Sequence, residues 1–314
     1  MSHPTLADVS ILIPTRNATW PLALTLSRIL EGVPAEHVWI LDSASEDGTR
    51  ELAHHHGCRV HDIPSGQFGH GRTRNLGVRL SREDGTAFFV FLTQDAVPAR
   101  TDWLDCLLRP LRADPGIAAT YARQLPRPEA DPIETFGRVF NYPEDPRIQD
   151  LEAFPRLGIK TFFLSDSCAA YRRSLFEAAG GFPEDVIVNE DMGIAEKFVG
   201  QGLSVRYTPE ASVVHSHPLT PWEQFRRYFD IGVFMARRPN LTRARPAHEG
   251  LYYARAQVAA LWKSGRMEWL PSVFLDLCAR YCGLNAGLRH RRIPAFLRPR
   301  LSRQAGFWEN EPSR

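Results

Sequence analysis

Lysine, cysteine and long apolar runs are scarce in this sequence. No apolar run approaches the roughly 20 residues needed to cross a bilayer, and the opening MSHPTLADVS lacks the basic-then-apolar pattern of a leader peptide. Both absences predict a cytoplasmic protein. The five cysteines, Cys58, Cys106, Cys168, Cys278 and Cys282, are irregularly spaced, which argues against a disulfide framework and against a zinc site. Cys278 and Cys282 could share a helix face, and buried free thiols are the expected reading for them. Of 38 Lys plus Arg only three, Lys160, Lys197 and Lys263, are lysines. That bias carries no functional reading.

What is present suits a globular protein with a sizeable core: 314 residues, 43% hydrophobic and 24% charged, room for one large domain or two small ones. The net charge of +2 hides an asymmetry. From Thr220 to Arg314 there are 17 Lys plus Arg against 7 Asp plus Glu, a net of +10, which leaves residues 1–219 at −8. An acidic body carries a basic tail-piece. Such a split points to an anionic partner at the basic end, with a solvated surface as the competing explanation.

The first half alternates regularly. VSILIP (9–14), HVWILD (37–42), CRVHDI (58–63) and AFFVFL (87–92) read as strands, while PLALTLSRIL (21–30), SEDGTRELAHHHG and GRTRNLGVRLS (71–81) read as helices between them. Runs that are apolar throughout predict strands covered on both faces, as in an open α/β sheet with crossover helices. In such sheets ligands bind beyond the carboxyl ends of the strands. Pro14 and Thr15, Asp42, and Thr93–Gln94–Asp95 stand at three such ends. Each alone fits a turn former or a helix cap; three polar strand ends in register point to a site.

In chain order, SILIPTRN, ILDSASEDGT, FGHGRTRNLG (68–77), FLTQDAVP, FLSDSCAAYRRSLFEAAGGF (163–182), NEDMGIAEKF (189–198) and PEASVVHSH (209–217) resemble the family 2 glycosyltransferases of the GT-A fold. The HGRTRN and TQDA forms look most like bacterial rhamnosyltransferases that build cell-surface polysaccharide from dTDP-L-rhamnose. The resemblance covers roughly residues 8–235. It implies a Rossmann-like nucleotide-diphospho-sugar domain over residues 1–219, followed by a basic, amphipathic helical extension over 220–314.

The resemblance also assigns residues. The family's Asp-x-Asp triplet corresponds to Thr93, Gln94 and Asp95, so the first carboxylate is missing and Asp95 matches the one that contacts a divalent cation, Mg2+ or Mn2+. A metal-independent enzyme stays open. His215 matches a metal-binding imidazole, against the alternative of a histidine that closes a strand, and His217 lies one alternation further on. Asp42 takes the pyrimidine, with Pro14, Thr15 and Arg16 shaping its pocket. Gly71, Arg74 and Asn75 are expected around the diphosphate, at a helix start. Asp166 lines the donor sugar and Glu190 contacts it or orients the site. Asp191 matches the base of a single inverting displacement, although acids at a helix start also favour the dipole. The run His54–His56 cannot converge on one ion along a helix and reads as a solvated face.

Beyond Pro218, TPWEQFRRYFDIGVFMARR (220–238) and LPSVFLDLCARYCGLNAGLRHRR (270–292) place rings and arginines at helical spacing. Packing on the catalytic domain is one reading. The other is capture of a lipid-linked glycan acceptor, or peripheral contact with the inner membrane. No nucleic-acid partner is expected. Two rivals remain: a transferase of another sugar such as a UDP-hexose, and a sugar nucleotidyltransferase, whose early glycine-rich basic loop is absent after SILIP.

Overall fold

The computed structural model describes residues 8–64, 66–238, 241 and 246–309. The leader expectation rests on the opening residues, of which 1–7 lie outside the described ones. Contacts divide the chain into two compact units. The first comprises Met1–Leu125, Tyr142–Glu184 and Glu190–His215; the second comprises Pro126–Asn141, Asp185–Asn189 and Ser216–Arg314. The expected boundary after residue 219 thus falls near the last junction, but two short internal segments group with the C-terminal residues. Their partners lie far along the chain, where local sequence pattern gives no signal.

The strands are β1 (Val9–Thr15), β2 (Val38–Asp42), β3 (Arg59–Asp62), β4 (Phe88–Leu92), β5 (Val97–Pro98), β6 (Ile117–Leu125), β7 (Arg147–Gln149), β8 (Cys168–Arg172) and β9 (Ser204–Val214). The helices are α1 (Thr19–Ile29), α2 (Thr49–His55), α3 (His70–Leu80), α4 (Trp103–Ala113), α5 (Pro132–Asn141), α6 (Phe154–Leu157), α7 (Arg173–Ala178) and α8 (Glu190–Gly200). They continue with α9 (Pro221–Ala236), α10 (Pro246–Ser264), α11 (Leu270–Leu288), α12 (Arg298–Leu301) and α13 (Ala305–Glu309).

The first unit holds one nine-stranded sheet in the order β3-β2-β1-β4-β8-β6-β9-β5, with β7 paired to β9. The four strands expected from the first half run parallel, as continuous apolar runs require. Alternation along them feeds a core on each face: Ile11, Ile13, Val90 and Leu92 enter one with Leu22 and Leu107, while Leu12, Phe89 and Phe91 enter the other with Tyr171 and Phe182. Phe89 stacks on Tyr171 with ring centroids 5.2 Å apart. Each fully buried ring of this kind contributes about 1.5–3 kcal/mol.

One feature of the sheet builds the site. β8 runs antiparallel to β4, pairing Leu92 with Cys168. The start of β8 therefore lies beside the carboxyl end of β4, and register pairs Thr15 with Asp42 at the same end of β1 and β2. Four polar segments meet at one edge.

The second unit is helical. Thr220 caps α9 in a reciprocal box: its backbone N–H donates to Glu223 Oε2 at 2.9 Å, and its hydroxyl accepts from the Glu223 amide. Inside, Gln224 donates to Asp276 at 2.9 Å, and Arg280 donates to Asp276 at 2.6 Å and to the Tyr228 hydroxyl at 2.9 Å. Part of the basic charge is therefore internal. Cys278 and Cys282 are exposed, which corrects the expectation of buried thiols; Cys58, Cys106 and Cys168 are buried. The face of α11 turned inward carries Val273, Asp276, Gly283 and Gly287 instead.

Glycines bring α9 and α11 backbone to backbone. A Cβ on Gly232 would lie 2.4 Å from the Leu284 oxygen, one on Gly283 2.3 Å from the Phe225 oxygen, and one on Gly287 2.1 Å from the Phe229 oxygen. Gly287→Ala is expected to destabilise this unit by about 1–3 kcal/mol, the usual cost of overpacking. Thermal unfolding measures it, and an unchanged midpoint would contradict so close a crossing.

Candidate active site

At the end of β2, Asp42 is fully buried. The Thr15 hydroxyl donates to its Oδ2 at 3.0 Å and the Ser45 amide to its Oδ1 at 2.9 Å. Ala44 takes a left-handed conformation, φ 56°, which lets Ser45 fold back onto the carboxylate. Asp42 thus ties the ends of β1 and β2 together. Pro14 is half-buried and Arg16 exposed beside it. The Arg16 amide donates to Gln94 Oε1 at 2.9 Å, and the Gln94 carbonyl accepts from Thr25 at 3.0 Å. Gln94 is the brace that holds the loop after β1 against the loop after β4.

The same loop reaches the start of β8, where the Thr93 amide donates to the Ser167 carbonyl at 3.2 Å. Asp95 follows, half-buried, with its Oδ1 3.4 Å from Nδ1 of the buried His215. The His215 amide is pinned to the Leu125 carbonyl at 3.0 Å, so the imidazole stands on the frame of β6 and β9. Their donor atoms lie within 4.8 Å of one another. One oxygen and one borderline nitrogen at that spacing fit two adjacent positions around a divalent cation. His217 is the next donor along the chain and is exposed.

Behind Ser167 sits a cluster of charge. Arg74 on α3 is 6% exposed and lies between two carboxylates, with Nε 3.0 Å from Asp166 Oδ2 and Nη1 3.0 Å from Glu190 Oε1. Its guanidinium also stands over the Phe91 ring at 5.5 Å. The Tyr171 hydroxyl donates a short hydrogen bond to Asp166. Asp191 begins α8 beside Glu190, half-buried, and accepts from the Met192 amide at 2.7 Å and the Asp166 amide at 3.3 Å. Burial, then the charges of Glu190 and Asp166, hold the Asp191 carboxyl well above the ordinary carboxylate range. Burial likewise pushes Asp166 up to about 7, against the pull of Arg74. Asp191 is therefore a carboxylate of raised basicity with access to solvent, which is what proton abstraction from a hydroxyl demands.

A family model, glycosyl transferase family 2, matches residues 10–180, which run from β1 through α7. The chain belongs to glycosyl transferase family 2. Relatives of this family 2 member include an O-antigen chain rhamnosyltransferase of Salmonella anatum, 36% identical over 96% of both chains. A second, from Salmonella typhimurium, is 36% identical over the same shares. Among solved structures, a mannosyltransferase from Pyrobaculum calidifontis in complex with GDP-Man and Mn2+ superposes with a TM-score of 0.62 at 19% identity, covering 90% of this chain and 88% of that one. GalNAc-T7 with UDP, GalNAc and Mn2+ gives 0.53 at 16% identity, covering 76% and 51%. The architecture is the GT-A fold.

Within this glycosyltransferase, the structure gathers Asp166, Glu190, Asp191 and Arg74 in one cluster and braces Gln94 and Asp95 beside it. It does not set Arg74 at a helix start. α3 begins at His70, so Arg74 and Asn75 lie in its second turn, and Arg74 is enclosed by carboxylates. Asn75 is spent on structure: its amide donates to the Phe182 carbonyl at 3.0 Å and to Glu184 at 2.9 Å, and accepts from the Phe182 amide at 3.0 Å. Gly71 is required because a Cβ there would lie 2.2 Å from the Pro183 oxygen. Its close approach is to the protein's own backbone. His54 and His55 are exposed, as a solvated face requires. Sequence reasoning missed Tyr171, although a tyrosine in a buried strand needs a partner for its hydroxyl, and an aspartate stood five residues upstream.

Proposed function

We propose that this glycosyltransferase moves L-rhamnose from dTDP-L-rhamnose, with inversion, onto a saccharide or lipid-linked glycan acceptor in cell-surface polysaccharide synthesis. The observation that carries the reading is the 36% identity, spread over 96% of the chain, to O-antigen chain rhamnosyltransferases. Asp191 takes the proton of the acceptor hydroxyl as attack proceeds. Glu190 and Asp166 shape the sugar side, while Pro14, Thr15, Arg16 and Gln94 form the nucleotide side, with Asp42 holding their frame. Asp95 and His215 would hold a divalent cation, and their mixed donor set suits Mn2+ better than Mg2+. Such an ion, when bound, offsets the charge that grows on the departing diphosphate.

A panel of sugar nucleotides monitored by nucleoside-diphosphate release tests the donor. Faster release of dTDP from dTDP-L-rhamnose than of UDP from UDP-hexoses is expected. An inert dTDP-L-rhamnose beside an active UDP-sugar would remove the rhamnose assignment and leave the family untouched.

The acceptor side rests on the second unit. Among the described residues no helix is long and apolar enough to cross a membrane. Yet Trp222, Trp262, Phe274 and Tyr281 are more than half exposed, at 54%, 73%, 65% and 70%. Phe229 by contrast is fully buried. Exposed rings beside a net charge of +10 suit an anionic lipid surface at the inner membrane. Each basic group near such a surface contributes on the order of 1 kcal/mol. Co-sedimentation is expected with anionic vesicles at low salt and to fall at high salt; equal, negligible binding to anionic and neutral vesicles would remove the membrane reading.

A further inference from the structure

Three carboxylates, Asp166, Glu190 and Asp191, share the pocket at the start of α8 with one guanidinium. Two other titratable groups face this cluster, Tyr171 and His70. Tyr171, on β8, is held well above its ordinary range by burial and by Asp166. His70, on α3, is held below its own range by burial, in spite of Glu190. Like charges this close in a poorly solvated site cannot all ionise without an opposing charge. Arg74 supplies it, and its two ion pairs go to the neighbours of Asp191 rather than to Asp191 itself.

We propose that Arg74 is a positioning residue that helps set the working pH of the enzyme: its charge, held between Asp166 and Glu190, offsets part of the field that favours a proton on Asp191. The inference rests on Asp191 being the base. It also gives the arginine of HGRTRN a role other than phosphate binding, since both of its paired nitrogens face carboxylates. The sign follows directly. Without the positive charge, Asp166 and Glu190 raise the proton affinity of Asp191, and activity disappears at a higher pH on acidification. Without Glu190's negative charge, the same limb moves to lower pH.

The test is the pH dependence of kcat/KM for the full-length enzyme, measured for the wild type, Arg74→Gln, Arg74→Lys, Glu190→Gln and Asp191→Asn. Arg74→Gln is expected to move the acid limb upward by about one pH unit, the low end of the effect of a nearby opposite charge on a carboxyl, with activity recovering on the alkaline side and little change in donor KM. Arg74→Lys keeps the charge and is expected to leave most of the limb in place. Glu190→Gln moves it the opposite way, a direction that a loosened fold does not produce, and an unmoved limb there counts against the proposal even if the Arg74 variants fail to fold. A limb unmoved in Glu190→Gln, or a donor KM raised tenfold in Arg74→Gln with the limb in place, overturns the proposal. Failure of the base reading looks different: residual Asp191→Asn activity would keep the wild-type limb.

Discussion

Asp191→Asn is expected to lower turnover by roughly 10²–10⁴-fold, the range for loss of a general base, with donor affinity nearly unchanged. The substitution keeps the size of the side chain and an oxygen for the Met192 amide. What it removes is the proposed proton acceptor. The raised proton affinity of Asp191 comes first from burial and then from Glu190 and Asp166. The base works only when ionised, so wild-type kcat/KM should fall as pH drops through that raised value, above the ordinary carboxylate range. The asparagine variant should lack this limb. Single-turnover rates beside equilibrium binding of the donor make the separation, and equal losses in both would recast Asp191 as a donor contact.

Asp95→Ala is expected to abolish turnover and to weaken donor binding mainly when Mn2+ is present. Thr93 stands where the family triplet has its first carboxylate, so Asp95 is the one acidic residue of that triplet. His215, with its Nδ1 3.4 Å away, adds no negative charge. Removing the carboxylate would deprive a bound ion of its anionic side-chain ligand. Calorimetric titration of the donor with and without Mn2+ would show the difference. Full wild-type activity in excess chelator would mean that Thr93 marks a site that works without metal.

The parallel half of the sheet was readable because each strand carries its own signal. VSILIP, HVWILD and AFFVFL are apolar on both faces, and each apolar run gives way at its carboxyl end to polar residues: Thr15, Asp42 and Thr93. Asp95 was readable as a carboxylate at a strand end, whereas Asp166 and Asp191 could be named only through the resemblance of FLSDSCAAYRR and NEDMG to the family. Their company was not. β8 lies between β4 and β6 in the reverse direction, and nothing in CAAYR specifies its direction. That reversal brings Asp166 beside Thr93 and turns Arg74 inward among acids. Asn75 misled for a similar reason: its partners Phe182 and Glu184 lie more than a hundred residues on. Exposure of Cys278 and Cys282 depends on which face of α11 carries the glycines, and that is decided by α9.

The crossing of α9 and α11 also bears on how this protein can be re-engineered. A side chain at a helix contact has rotamers and can yield to a neighbour. Gly232, Gly283 and Gly287 meet carbonyl oxygens with none. Variation in the helical unit is therefore channelled outward: Trp262, Phe274 and Tyr281 can be exchanged for polar residues with no packing penalty at the crossing, whereas a single methyl at the glycines has nowhere to go. A library meant to change attachment or acceptor choice should spend its diversity on those exposed positions and keep the three glycines constant.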